Sequence, residues 1–417
     1  MYLRSASRYR LGTLCRRIVS KKRYNTGVLE PPRNRTRYGL AGLVLAGLTF
    51  TCLAPLLLAW GYHLSSDYDL IGSFFLALNA GLLVGVPLSH PLLKRASIGR
   101  VLLGAAALGA VGYAGLVFAG PPVAPGWRHG WLLALGISSG ALNVVLFGFL
   151  APAYHRAPTA TVNLGGVAFL LGAILGSQSV AGSLEGYDPW LPVAGFAALY
   201  LIFGIAVWRA RIEERAVIQP ISAAALRHFR HPQAMLFASV LFFHFGAEIS
   251  VASWLPLMLV QRVGMSPASA LRLLTLYWLT LLVGRALVQS VRGRVRHRHL
   301  LASGALSAMF GCLILAVTNN RFGSVMAILF AGAGFAVVYP VLVEMVGNGF
   351  RYYHPVYFHG VFSIALSGGL LAPWIFGVTA SGLGIGGAML IPLGGTLVVT
   401  LLLVVMWIGR RANRAVV

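Results

Sequence analysis

The sequence has little charge and almost no acid. Of its 417 residues 10% are charged, and 9 Asp or Glu stand against 33 Lys or Arg. Since a soluble globular protein carries about 25% charged residues, this chain lacks the polar surface that contact with water requires. It also lacks the composition of a disordered or fibrous protein, because apolar residues make up 58% of the chain and follow no short repeat. A helical protein that crosses a membrane several times remains.

Cysteine and the motifs of catalysis are also scarce. The 3 cysteines have neither the spacing of a disulfide framework nor that of a zinc site. The sequence contains no phosphate-binding glycine loop, no cluster of metal ligands and no nucleophile elbow. We therefore expect a protein that is not an enzyme and that uses no cofactor and no metal.

Long apolar runs are what the chain has instead. A membrane helix needs about 20 mostly apolar residues, and twelve such runs can be read along the sequence. They lie at 39–62, 69–92, 99–119, 129–151, 160–183, 190–209, 233–260, 270–291, 299–318, 322–347, 356–380 and 385–409. The predicted fold class is an all-α membrane protein of twelve transmembrane helices in two six-helix bundles.

The basic residues lie in alternate gaps between these runs. Cytoplasmic loops are enriched in Lys and Arg, and this rule holds best when both termini are cytoplasmic. The expected location is the cytoplasmic (inner) membrane, with the lipid bilayer as surroundings. A nucleic-acid partner is not expected, because the cations do not gather on one face.

The same pattern divides the chain into segments. Residues 38–209 and 233–409 are the predicted bundles, joined by a cytoplasmic loop at 210–232, and 410–417 form a cytoplasmic tail. The basic arm at 1–37 is interpreted as a disordered cytoplasmic tail. The alternatives are a targeting segment, or a start codon assigned too far upstream, so that the arm is not translated. Paired halves with similar basic joints indicate a secondary transporter built from repeats around a central path.

Acids inside the apolar runs are candidates for function, because charge is costly in hydrocarbon. Glu248 lies near the middle of the seventh run, and His244 lies one helical turn before it. Burial favours the protonated form of a carboxyl group, and a histidine can relay a proton. We predict that Glu248 and His244 form a proton-coupling pair, with a purely structural buried hydrogen bond as the alternative.

Glu344 and Arg285 are the next charged candidates. Both lie toward the predicted cytoplasmic ends of their runs, and we expect an ion pair between them that closes the inner gate. Alternatively, Arg285 binds an anionic substrate, since a guanidinium group holds a carboxylate through two hydrogen bonds.

Polar groups at mid-membrane depth are candidates for substrate contact. Asn143 shares a helix face with Gly136, Ser139 and Gly140, a stripe of small residues that we interpret as helix packing. The remaining candidates are the aromatic side chains of Tyr277, Trp278 and Tyr339, for which core or lipid packing is the alternative.

Several of these residues carry a resemblance to a known family. In order and spacing, His244 to Glu248, Tyr277-Trp278 with Gly284-Arg285, Tyr339-Pro340, and Ser363 with Gly368-Gly369 and Pro373 resemble the fucose:proton symporter-like branch of the major facilitator superfamily. The resemblance implies the twelve-helix fold of that superfamily, alternating access, and work as a monomer.

The chain also departs from that branch. The branch is expected to use an Asp in helix one and a Glu in helix four, whereas helix one here has no acid and Asn143 stands at the position of the Glu. The expected function is secondary transport of a small organic solute, sugar-like and coupled to protons. The alternatives are proton-linked efflux of apolar or drug-like compounds, and a relative that serves as a sensor or scaffold without transport.

Overall fold

The described part of the molecule is entirely helical. The computed structural model describes residues 33–156, 158–186, 188, 190–213, 232–291, 294–349 and 355–415. Its helices are α1 (Arg33–Thr51), α2 (Leu53–Ala59), α3 (Tyr68–Arg95), α4 (Ile98–Phe118), α5 (Pro125–Arg156), α6 (Pro158–Glu185), α7 (Leu191–Arg209), α8 (Pro232–Gln261), α9 (Pro267–Val291), α10 (His297–Val317), α11 (Arg321–Gly349), α12 (Pro355–Ala388) and α13 (Leu390–Ala415), with a short 3₁₀ helix η1 (Tyr62–Leu64).

These helices confirm the predicted fold class. Ten described helices are long and apolar enough to cross a bilayer, and α1 with α2, bent by 48°, make an eleventh. α5 completes the twelve that the apolar runs predict. The structure differs from the prediction at the first run, where helix α2 and η1 bend away from the axis of α1.

The helix α3 packs against α5 through glycines. A Cβ atom placed on Gly136 would lie 2.0 Å from the carbonyl oxygen of Leu78, and one on Gly81 would lie 2.2 Å from that of Leu133. Contact this close is possible only without side chains, which is the usual reason for small residues between membrane helices. The predicted packing role of the stripe on α5 is confirmed.

A buried hydroxyl network holds the inside of the first half of the chain together. Thr49 on α1 contacts the hydroxyls of Tyr200 on α7, at 2.6 Å, and Tyr113 on α4, at 3.1 Å. The Tyr200 hydroxyl also lies 3.3 Å from the Leu45 carbonyl oxygen, which it can donate to. Three helices are thus joined by polar groups that satisfy one another, as buried polar groups require.

Three predicted segments fall wholly or partly outside the described residues. Within them, the residues not described are 1–32 in the basic arm, 214–231 in the central loop and 416–417 in the tail.

Candidate functional site

The predicted pair of His244 and Glu248 lies buried in α8. Their side chains are one helical turn apart, with 3.3 Å between His244 Nε2 and Glu248 Oε2, and the residues are 1% and 3% exposed. The two atoms are within ion-pair distance without the alignment of a hydrogen bond, since neither has a hydrogen-bond partner in the described part of the chain. The spacing of four residues predicts this contact, and the structure contains it.

Arg285 on α9 completes the cluster from a second helix. Its Nη2 atom donates to Glu248 Oε1 over 3.4 Å, and the residue is 7% exposed. Its guanidinium carbon lies 5.8 Å from the centre of the Tyr339 ring, within cation–π range. Glu248 thus lies between a histidine and an arginine, and we call these three residues the charged cluster.

Two of the predicted substrate-contacting aromatics support this cluster. The Tyr277 hydroxyl donates to the backbone oxygen of Glu248 over 3.1 Å and so ties α9 to α8 at this level. The Tyr339 ring lies beneath the guanidinium group and packs against Phe245, with ring centres 5.3 Å apart. Tyr277 is fully buried, so its described contact is with the protein backbone.

The expected pair of Arg285 and Glu344 is not what the structure contains. Arg285 pairs with Glu248, and Glu344 lies 3.6 Å from His297 at the start of α10. Burial is the physical reason: the Glu344 side chain is 21% exposed and that of Glu248 is 4% exposed. A buried carboxylate that water cannot solvate depends more on a neighbouring positive charge for its stabilisation than a carboxylate that water still reaches.

Trp278 lies where the two halves of the chain meet. It lines a gap of about 10 Å³, room for roughly one water molecule. The other lining residues are Phe50, Thr51, Ala54 and Phe75 from the first half, and Ile249, Ala252 and Ser253 from the second. Its indole N–H has no hydrogen-bond partner among the described residues. Trp278 is therefore a polar donor at the seam, close in sequence to the charged cluster.

Asn143 has no contact with the charged cluster among the described residues. It lies partly buried on α5, where its amide donates to the Ser139 carbonyl of the same helix over 3.0 Å. The structure thus groups His244, Glu248, Arg285, Tyr277 and Tyr339, while the contacts described for Asn143 and Glu344 are with Ser139 and His297.

One end of the bundle is closed by contacts between the two halves. We call it the closed face; η1 lies there, α8 ends there and α3 begins there. Gln261, the last residue of α8, donates to the carbonyls of His63, at 3.2 Å, and Ser65, at 2.8 Å. It also accepts a hydrogen bond from the Tyr68 hydroxyl over 3.0 Å. All three partners belong to the first half, so this one amide joins the halves three times.

An aromatic stack lies beneath the Gln261 contacts. Trp254 packs on Phe376, with ring centres 4.8 Å apart and planes at 19°, and its N–H donates to the Pro373 carbonyl. From the first half, the rings of Tyr68 and Phe75 lie 6.2 and 5.8 Å from it. Apolar contact therefore seals the seam between this end and the gap at Trp278.

Further contacts between the halves lie at the same end or at mid-depth. Arg272 pairs with Glu185, Thr275 bonds Gln178 over 3.3 Å, and the Asn79 amide donates to the Leu370 carbonyl over 2.6 Å. Among bonds whose two partners are described, none joins the halves nearer the opposite end of the bundle. The described arrangement is thus closed toward one side.

Sequence reasoning missed Gln261 and Trp254. Gln261 falls one residue beyond the predicted run 233–260, and its donor bonds go to backbone carbonyls, which leave no sequence pattern. Trp254 lies inside an apolar run like any core tryptophan. The one available signal was the polarity of Gln261 at a helix end.

Burial also acts on a titratable group at the closed face. His63, whose carbonyl accepts from Gln261, lies in η1, and burial lowers the pKa of its imidazole below the ordinary value of 6.5. The histidine at this position therefore favours its neutral form.

The sequence matches the model of the Major Facilitator Superfamily over residues 39–357. A similar curated protein is the putative glucose/galactose transporter of Helicobacter pylori strain J99, 24% identical over 188 residues, which are 45% of this chain and 46% of that protein. The chain thus spans about half the length of the curated relative that it matches.

Solved structures with a similar fold cover nearly the whole chain. The crystal structure of a D-xylose-proton symporter has a TM-score of 0.70 at 15% identity, covering 88% of this chain and 96% of that one. The transporter FucP in the outward conformation has a TM-score of 0.61 at 18% identity, covering 88% and 97%. At identities of 15% and 18%, these similarities establish the fold of the chain.

Proposed function

The chain belongs to the Major Facilitator Superfamily, and from this premise we propose that it is a secondary transporter of the cytoplasmic membrane. It moves a small polar solute, sugar-like, by alternating access and couples this movement to protons. The names of its relatives, a glucose/galactose transporter and a D-xylose-proton symporter, support the class of solute. It works as a monomer in the bilayer.

The charged cluster is the observation that carries the proposal. Ionisable groups inside the membrane are costly and are kept where a proton or a substrate passes. Glu248 is 3% exposed, has a histidine and an arginine within 3.4 Å, and is one turn from residues that line the seam. A carboxylate so placed can bind a proton in one state of the carrier and release it in the other, with His244 as the relay.

The closed face supports the alternating-access part. We assign it to the outside, because both chain ends lie toward the opposite, basic side. Residues 38–209 and 233–409 then rock against each other around the seam, and contacts such as those of Gln261 break when the outer side opens.

Replacing Glu248 with Gln tests the coupling. The amide has the size of the acid and binds no proton, so the variant should lose concentrative uptake driven by a pH gradient and keep counterflow exchange. Uptake of labelled sugars and sugar acids into proteoliposomes measures both, with whichever solute the unaltered protein accumulates. Asp69→Asn is the matched control, because it removes a carboxylate that is exposed in the first turn of α3. Concentrative uptake that survives in Glu248→Gln would exclude the proton role.

Efflux of an apolar or drug-like compound is the second candidate. The gap at Trp278 favours it, because most of its lining side chains are apolar. Proteoliposomes loaded with lipophilic cations distinguish the two: efflux driven by a pH gradient, without sugar uptake, would replace the first proposal.

A further inference from the structure

We infer that the transported solute carries a carboxylate, which Arg285 binds when the charged cluster takes up its proton. The inference rests on the proposed function and narrows its solute to a sugar acid, such as a hexuronate or a hexonate. It follows from the charges of the cluster and from the position of Arg285 at the seam.

The charges of the cluster balance before protonation. Counted with Glu248 ionised, Arg285 protonated and His244 neutral, the cluster carries no net charge. The other titratable groups that face Glu248 among the described residues are the phenols of Tyr277 and Tyr339, which are neutral near pH 7. The helices α12 and α13 contact this part of α8 through glycines, Gly369 against Phe245 and Gly395 against Ala247.

One added proton breaks this balance. Whether Glu248 or His244 takes it, the net charge of the cluster rises to +1. Arg285 cannot lose its own proton within a protein. If Glu248 takes the proton, Arg285, 7% exposed, is left without a countercharge among the described residues; if His244 takes it, one carboxylate is shared by two cations.

Arg285 has free capacity for an anion. Its Nε atom has no hydrogen-bond partner among the described residues. An uncompensated buried charge is strongly unfavourable, and a guanidinium group binds a carboxylate through two parallel hydrogen bonds. A carboxylate on the solute supplies the missing charge in the geometry that this side chain prefers.

The guanidinium group also lies at the seam. Its Nη1 atom is 2.8 Å from the point where a Cβ on Gly166 of α6 would lie. Arg285 belongs to the second half and Gly166 to the first, so the arginine extends to the boundary between them. A side chain at 166 would clash with the guanidinium group, so the glycine is what lets Arg285 extend to this boundary, beside the central path that we propose for the solute.

The inference has an electrical consequence. One proton moved with one monoanion transfers no net charge, whereas one proton moved with a neutral sugar transfers one. Glucuronate and glucose, which share a ring, are therefore the matched probes.

The experiment measures uptake of both probes into proteoliposomes under an inward pH gradient, with the membrane potential set by potassium and valinomycin. We expect glucuronate to accumulate at a rate that the potential does not change, and glucose not to accumulate. In parallel, glucuronate affinity should be higher at pH 5.5 than at pH 7.5 in the unaltered protein.

Two variants assign the effect to the cluster. Glu248→Gln fixes the uncharged form of the acid, so it should bind glucuronate at pH 7.5 as tightly as the unaltered protein does at pH 5.5. Adding Arg285→Gln to it removes both charges, keeps the cluster neutral for folding, and should weaken glucuronate binding about ten- to a hundredfold. Arg262→Gln is the control, since that arginine bonds Asn319 and helix carbonyls in the same half.

The contrary outcomes are distinct. If glucose accumulates with a potential-dependent rate, or if loss of Arg285 leaves glucuronate affinity unchanged, the inference is overturned while proton-coupled transport stands. If neither probe binds or moves, the inference and the sugar-like solute of the proposed function both fail.

Discussion

Replacing Gln261 with Ala should shift the carrier away from the arrangement closed at η1. The substitution removes three hydrogen bonds between the halves, two to backbone carbonyls and one from Tyr68. A protein hydrogen bond contributes about 0.5–1.5 kcal/mol net, so the three together stabilise closure by about 1.5–4.5 kcal/mol. Even the lower limit corresponds to a change of about tenfold in the ratio of closed to open molecules.

Alkylation of a single reporter cysteine measures this ratio. Ser253 lines the gap beneath the aromatic stack, so a cysteine there reacts with a membrane-impermeant maleimide only when the outer side opens. The native cysteines are replaced beforehand. We expect the reaction to be at least tenfold faster in Gln261→Ala when opening and closing are fast relative to alkylation.

Asn319→Ala is the control for this experiment. It removes the Arg262 Nε bond of 2.6 Å at the same end of the bundle, but both partners belong to the second half. Equal alkylation rates in the two variants would refute the reasoning, because loss of a bond within one half should leave the equilibrium unchanged.

Three further predictions concern stability. Gly136→Ala puts a methyl group against the Leu78 carbonyl and should lower the free energy of unfolding by about 1–3 kcal/mol or more. The control is Gly130→Ala on the same helix, where an added methyl group has no neighbouring atom within 4 Å; it should not lower the melting temperature. Thr49→Val leaves the two buried phenols without their shared partner and should cost about 1–3 kcal/mol. Thr379→Val removes an exposed hydroxyl bond within one helix and should be near neutral. Since burial lowers the pKa of His63 in the folded state, the unfolded chain binds more protons and stability falls as the pH drops below about 6.5. Melting temperatures at pH 7.5 and 5.5 should therefore differ less in His63→Gln than in the unaltered protein, and an equal difference in both would contradict this.

The sequence predicts what depends on one helix at a time. Apolar length alone locates the twelve runs, and the spacing of His244 and Glu248 places them on one face, because both follow from the geometry of a single helix. Depth in the membrane could also be estimated for Arg285 and Glu344.

What the sequence does not predict is which faces of two helices meet. Arg285 and Glu344 lie at similar distances from the ends of α9 and α11, which is why the sequence suggests that they pair. In the described arrangement the rotation of α9 turns Arg285 toward Glu248 instead. The three bonds of Gln261 are beyond sequence reasoning for a different reason: the two carbonyl acceptors are present at every residue, and only the folded chain selects them.

The close glycine contact between α3 and α5 has a mechanical consequence. With backbone against backbone at Gly81 and Gly136, there is no layer of side chains in which one helix could slide or roll on the other. The first 19 residues of α3, 68–86, lie before its two internal prolines and are about 28 Å long. Together with the α5 helix beside them they form a stiff lever. Its fulcrum is near the closed face, where Gly72 touches Gly377, so a small tilt there becomes a displacement of several ångströms at the far end.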